Sequence, residues 1–404
     1  MKRLILKFGG TSVGSVDKIK NVANIIKEEF SKGREIIVIV SAMAGVTNDL
    51  KKKSSLISEN FDNKELDVLL SSGEQVSCSL LAGALIDLGL KARSWLGWQI
   101  PIATNNNYNS SQILKIKTEE VSKFILNQGV AVIAGFQGIS FENRITTLGR
   151  GGSDLSAVVL AKFFKADSCE IYTDVEGVLT TDPSINKKAK KIDKISYEEM
   201  LEMASLGAKV IQPSAVQASM IDDILIHVRS TFSKQSGTKI ISENDIDYKK
   251  AVTGIAYSKN NAKVSIVGVV DKAGVAADVF EPIGKNNINI DMVIQNTSLD
   301  GKTANITFTI KQEDLKKTLN IIEENKQKIN YKKITHDGKL AKVSIIGAGM
   351  ITSPGVTHTM FRSLANEKIN ILAISTSEIK ISVLIEESLT QRAVKVLHEA
   401  FGLN

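Results

Sequence analysis

The 404-residue chain is 43% apolar and 24% charged, and its 51 Lys and Arg against 44 Asp and Glu give a net charge of +7. These are the proportions of a soluble globular protein long enough for two or three domains, each burying a core. Its lysines are scattered apart from short clusters at Lys51–Lys53 and Lys187–Lys188, with no basic block interleaved with aromatics, so a nucleic-acid partner is not expected.

In chain order, the first expected strand, Leu4–Phe8, runs into Lys7-Phe8-Gly9-Gly10-Thr11-Ser12-Val13-Gly14. A buried strand that ends in a lysine and spills into glycines builds a phosphate cradle. The glycines let backbone N–H groups approach anionic oxygens, and the lysine supplies a point charge. The lysine precedes the glycines, which separates this element from G-x-x-x-x-G-K-[ST] and from G-x-G-x-x-G. The opening Met1–Leu6 mimics a signal peptide, but its apolar part is too short. Further strands are expected at Glu35–Val40, Val130–Ala134, Cys169–Thr173 and Leu225–Val228. Helices are expected at Val16–Phe30, Asp67–Leu88, Leu155–Phe164 and Tyr197–Met203. This alternation predicts a layered α/β domain with a mainly parallel sheet and ligands at the carboxyl ends of its strands. Cys78 and Cys169 lie outside any C-x-x-C element and read as reduced core thiols, and no uninterrupted apolar run of about 18 residues occurs. A cytoplasmic protein with no membrane partner is expected.

The polar stretches Ser233–Thr238 and Ser242–Asp247 mark a boundary. Beyond it Ala262-Lys-Val-Ser-Ile-Val-Gly268 recurs as Ala341-Lys-Val-Ser-Ile-Ile-Gly347, and Asn287-Ile-Asn-Ile290 as Lys368-Ile-Asn-Ile371. Each copy carries a glycine turn, an amphipathic helix, an alternating strand (Asn305–Ile310, Lys380–Ile385) and a further helix. This order predicts two ferredoxin-like βαββαβ modules. The expected domains are 1–245, 250–335 and 336–404, with 250–260 a candidate strand for the last to share.

Several further runs carry a resemblance: Val40–Asn48, Ser72-Gly-Glu-Gln75, Ala134-Gly-Phe-Gln-Gly138, Thr147-Leu-Gly-Arg-Gly-Gly-Ser-Asp154, Tyr172–Pro183 and Gly207-Ala-Lys-Val210. Together with Lys7–Gly14, they make the chain resemble the aspartokinases over essentially its whole length. Those proteins have an amino-acid kinase fold followed by two ACT modules. The resemblance implies ATP-dependent phosphorylation of the side-chain carboxylate of L-aspartate to 4-phospho-L-aspartate, the first step toward lysine, threonine and methionine. The co-substrate would be ATP with Mg²⁺, held mostly by phosphates and water, without a private metal site. The monofunctional form is expected, because the chain ends just past the second module.

Phosphoryl transfer needs in-line positioning and compensation of negative charge. Lys7 suits the transferring group, and Asp154 reads as a helix N-cap, to which the resemblance adds the role of organising Lys7. For aspartate, Arg150 offers a fork to a carboxylate, Glu74 a partner for the ammonium, and Thr47 and Ser153 hydroxyls. Gly151 and Gly152 adjoin them, and the resemblance adds Ser41. For ATP it implies Lys7, Phe8, Gly9, Gly10, Thr173, Asp174, Leu179, Ser184, Lys209 and Val210. Leu179 and Ser184 stand where the family often has an aromatic residue and an arginine.

The ACT modules imply amino-acid effectors, lysine and/or threonine, and at least a homodimer. Candidate effector positions in the first copy are Asp271, Ala273, Gly274, Ala276, Asn289, Ile290, Asp291 and Gln295. In the second they are Thr357, Asn370, Ile371 and Ser375. The first glycine turn has Ala273 where the second has Pro354. A kinase for another acceptor and a catalytically silent amino-acid sensor are the competing readings. The combination of Lys7, Thr47, Glu74 and the Arg150–Asp154 run speaks against both.

Overall fold

The computed structural model describes residues 2–208, 210–248, 250–298 and 301–404. They form two compact units. One runs to Leu179 and resumes over Lys191–Asp247; the other comprises Thr180–Lys190 and Tyr248–Asn404.

The first unit is organised by an eight-stranded sheet in the order Lys194–Ser196, Thr238–Ile241, Ile226–Ser230, Ser168–Thr173, Arg3–Phe8, Glu35–Val40, Val130–Ala134, Ala92–Trp95. Every neighbouring pair is parallel except Ile226–Ser230 with Thr238–Ile241. A parallel sheet is covered on both faces, so its central strands read as unbroken apolar runs. Leu4, Leu6, Phe8, Ile36, Val38 and Val40 pack on the helices Val16–Ser31 and Asn63–Asp87 through Ile19, Val22, Ile26, Cys78, Leu81 and Leu85. Helix Gly152–Phe163 buries Ala157, Val158, Leu160 and Ala161. Burial also pushes the Cys78 thiol up to about 12, as expected for an inert core cysteine.

Helix Asn63–Asp87 is long and apolar enough to cross a membrane by length and composition alone, but half of its most apolar window is buried. It is a core helix of this unit. It begins a turn earlier than the sequence suggests, because the Asp62 carboxylate accepts the Lys64 and Glu65 N–H groups as an N-cap. A second sheet, Ile113–Ile116, Ile102–Thr104, Gln137–Ser140 and Ile145–Thr147 in that order, has strands of three or four residues. Strands this short carry no readable alternation.

The second unit holds a six-stranded antiparallel sheet: Val293–Thr297, Thr303–Lys311, Gly254–Val270, Lys333–Ile346, Lys380–Glu386, Ala373–Thr376. The two long central strands are shared between the repeats. Val264–Val267 pair with His336–Lys333, and Gly254–Ser258 pair with Ile346–Lys342, with an irregular register between them. The first repeat's core gathers Val264, Ile266, Val279, Ile283, Phe308 and Ile322; the second gathers Val343, Ile345, Met360, Leu364, Val383 and Leu397. Each repeat starts its first helix from a left-handed glycine, Gly274 at φ 92° and Gly355 at φ 93°.

The segment Thr180–Lys190 departs from the expected boundary, grouping with the second unit rather than with residues 1–245. The reason is local. Ile255 N–H donates to Thr180 O at 2.7 Å, the Tyr257 hydroxyl to Asp182 at 2.9 Å, and Ile185 is buried in the second repeat's core. Thr180 Oγ1 also meets buried His398 Nε2 at 2.8 Å. Truncating Ile185 to Ala removes a core side chain, so Ile185→Ala is expected to destabilise the second unit by about 2–5 kcal/mol in a urea titration.

Candidate active site

Parallel pairing brings the carboxyl ends of the central strands level. Phe8 is opposite Val40 and Tyr172, Val40 opposite Ala134, and Thr173 opposite Ser230. The loops that open at Gly9, Ser41, Gly135, Asp174 and Thr231 therefore leave from one edge of the sheet.

Lys7 reaches that edge from a strand hydrogen-bonded on both sides. It is 8% exposed and forms an ion pair with Asp154, also 8% exposed. Asp154 is not the N-cap that its position suggests. Left-handed Gly151 caps the helix, which starts at Gly152, and the Asp154 side chain turns to Lys7 instead. The glycine loop is tightly seated. Gly9 N–H donates to Tyr172 O at 3.2 Å, and Ser12 and Val13 N–H groups donate to Gly9 O. A Cβ on Gly10 would come within 2.7 Å of Ala42 O, so this loop and the next touch backbone to backbone. Phe8 stacks on Tyr172 at 4.7 Å, and the Tyr172 hydroxyl is tied to Glu170 and Arg229. Ser12 Oγ meets Thr231 Oγ1 at 2.6 Å, closing the far side of the loop.

The neighbouring loop carries Ser41, whose N–H donates to Phe8 O and whose carbonyl accepts from the Ser77 hydroxyl. Glu74 sits in mid-helix, 3% exposed, with Oε1 accepting the Ala42 N–H at 3.0 Å. Its other oxygen, Oε2, is buried without a hydrogen-bond partner among the described residues. Burial pushes the Glu74 pKa up to about 7 against the pull of the Ala42 N–H. A buried carboxylate with one oxygen held and the other open fits an incoming N–H donor. Thr47 is half-buried on the helix Val46–Ile57. Ser153 is nearly buried, its Oγ 3.1 Å from where a Cβ of Gly135 would stand. Gly151 leaves no space for a side chain, since a Cβ there would collide with Gln212. Arg150 projects into solvent from this turn.

Of the nucleotide candidates, Phe8, Gly9, Gly10, Thr173 and Asp174 share the sheet edge. Thr173 Oγ1 donates to the exposed Asp174 carboxylate at 3.3 Å. Leu179 bridges Lys191, and Val210 is half-buried. Lys209 lies outside the described residues. Ser184 belongs to the second unit, where its N–H and hydroxyl both close on the Asp182 carboxylate, at 2.8 and 2.6 Å. The hydroxyl is thus already engaged in a turn.

In the second unit, Asp271, Ala273 and Gly274 are exposed at the first helix entry with Ala276 half-buried behind them, and Thr357 is exposed at the second. Asn289, Gln295 and Asn370 are exposed; Ile290, Ile371 and Ser375 are half-buried. Asp291 pairs with Lys342, a nearly buried lysine of the other repeat. Its carboxylate ties the repeats together beside the shared apolar seam of Met292, Leu340, Ala373 and Leu384.

Residues 2–230 match the amino acid kinase family, and residues 264–325 and 343–401 match ACT domains. Over 404 residues the sequence is 44% identical to an aspartokinase of Bacillus sp. (strain MGA3), covering 100% of this chain and 98% of the other. The chain belongs to the aspartokinase family. This aspartokinase resembles the aspartate kinase of Clostridium acetobutylicum with a TM-score of 0.83 and 26% identity, over 98% of this chain and 100% of that one. It also resembles E. coli aspartokinase III in a complex with lysine and aspartate, with a TM-score of 0.76 and 25% identity, over 99% and 100% of the two chains. Its activity is that of an aspartate kinase.

Two features near these residues have no counterpart in the sequence analysis: the Ser12–Thr231 latch and buried Asp67. The first joins residues far apart in the chain and leaves no local signal. The second has one, a carboxylate seven residues before Glu74 on an apolar helix face.

A carboxylate whose pKa is raised on folding stabilises the fold below its unfolded value. That contribution is lost as pH rises through the folded value. For Glu74 the window runs from about 4.5 to about 7. Glu74→Gln is therefore expected to raise the melting temperature by roughly a few degrees at pH 8 and not at pH 4. It should also weaken aspartate binding; scanning calorimetry at both pH values with a KM measurement checks this.

Proposed function

We propose that the protein transfers the γ-phosphoryl group of MgATP to the side-chain carboxylate of L-aspartate, giving 4-phospho-L-aspartate and ADP. An oxygen–phosphorus bond forms to the substrate carboxylate, the bond to the β-phosphate oxygen breaks, and no proton has to be removed from the nucleophile. The observation that carries this reading is the Lys7–Asp154 ion pair, buried at the mouth of a glycine loop. Lys7 neutralises charge on the transferring group, and Asp154 fixes where its ammonium stands. The backbone of Gly9 and Gly10 wraps the phosphate oxygens, with the Gly9 N–H already given to Tyr172 O. Thr173, Asp174, Lys209 and Val210 serve the rest of the nucleotide, and Mg²⁺ arrives with it. The open oxygen of Glu74 takes the substrate ammonium, Arg150 grips a carboxylate, and Thr47, Ser41 and Ser153 complete the pocket.

The product would enter the route to lysine, threonine and methionine, in the cytoplasm. The two ACT domains support feedback by lysine and/or threonine through a shift between kinase conformations. An E. coli relative has been captured with lysine and aspartate together. The edge strands Val293–Thr297 and Ala373–Thr376 support assembly as at least a homodimer.

A hydroxamate assay with aspartate and MgATP should show turnover, and lysine, threonine or both should reduce it. Arg150→Ala should raise the aspartate KM by about tenfold or more while changing the ATP KM by less than about twofold. A shift confined to ATP would reverse the pocket assignment.

A further inference from the structure

Asp67 and Glu74 are buried charged residues of the same helix, two turns apart and on one face. Glu74 lies at the sheet edge described above; Asp67 lies deeper, 0% exposed. Its carboxylate is held by N–H and O–H groups. Oδ2 accepts the Thr147 N–H at 2.8 Å, Oδ1 the Thr147 hydroxyl at 2.6 Å, and both oxygens the Asn109 N–H at 3.1 Å. Burial pushes its pKa up, while these bonds pull it down. A carboxylate buried this way is costly to keep, so what it holds matters.

It holds both sides of the turn that launches Arg150. Thr147 ends the strand Ile145–Thr147 and is followed directly by Leu148-Gly149-Arg150. Leu148 N–H donates to Phe136 O at 3.0 Å, and Ser111 N–H donates to Thr147 O at 2.9 Å. Gly149, at φ 75°, passes so close to Asn109 that a Cβ there would come within 2.9 Å of Asn109 O. The residue gripped by Asp67 on one side therefore walls the turn that starts on the other.

We infer that Asp67 is a positioning residue for substrate selection: it fixes the distance between Glu74 on its own helix and Arg150 on the clamped turn, matching the cleft to a four-carbon amino diacid. This rests on the assignment of Glu74 to the substrate ammonium and Arg150 to a substrate carboxylate. A misplacement of about 1 Å between two such groups can cost up to about a hundredfold in rate.

The test is steady-state kinetics of the full-length enzyme with MgATP and aspartate. Asp67→Asn keeps the shape but replaces one accepting oxygen by an amide donor, so the N–H and O–H groups of Thr147 and Asn109 lose one of their two acceptors. It should raise the aspartate KM by about tenfold or more and change the MgATP KM by less than about twofold. Thr147→Val removes only the hydroxyl bond and guards against a folding failure; it should shift the same constant in the same direction, by about threefold. Arg150→Ala is measured beside them. If Arg150→Ala raises the aspartate KM while neither Asp67→Asn nor Thr147→Val does, Asp67 does not position the site and the substrate reading stands. If Arg150→Ala has no effect, the substrate reading beneath the inference fails. Equal rises in both KM values in the Asp67 and Thr147 variants mark a merely structural role and overturn the inference.

Discussion

The buried pair of Lys7 and Asp154 is the contact around which the catalytic unit is arranged. Removing two charges from water costs more than their attraction usually returns, so such a pair is poor evidence of stability. Its value lies in fixing one ammonium in space. Lys7 sits on a strand hydrogen-bonded on both sides, and Asp154 on the first turn of a helix packed on the same sheet. The backbone around the pair is equally constrained. Gly10 presses on Ala42, whose N–H in turn holds Glu74. The position of the Glu74 carboxylate is thus linked to the glycine loop through one residue.

Much of this was legible in the sequence because the elements are long or chemically marked. Parallel strands such as Glu35–Val40 read as apolar runs, and the repeat at Ala262 and Ala341 declared the second unit. The four-stranded sheet was not legible, since its strands are too short for a pattern. The helix starts were misread where capping overrode the apolar signal. Asp62 begins one helix before Asp67, and Gly151 caps the other, freeing Asp154 for Lys7. The Thr180–Lys190 segment follows the catalytic motifs in sequence, but Ile185 and Thr180 commit it to the second unit. Tertiary packing decides such cases, and local composition does not record it.

The second unit shows how a duplicated module becomes one body. The strands Gly254–Val270 and Lys333–Ile346 each serve both repeats, and the Asp291–Lys342 pair crosses between them. A ligand that engaged Asp291 would have to compete with this ion pair. Such competition is one physical route by which an amino acid bound at the modules can favour one conformation over another.

The most direct measurement is a double-mutant cycle on kcat with Lys7→Met, Asp154→Asn and the pair of substitutions together. If Asp154 acts by placing the Lys7 ammonium on the transferring phosphoryl group, the double variant should be no slower than Lys7→Met alone. Losses that simply multiply would show that the two side chains act independently, and would contradict the account.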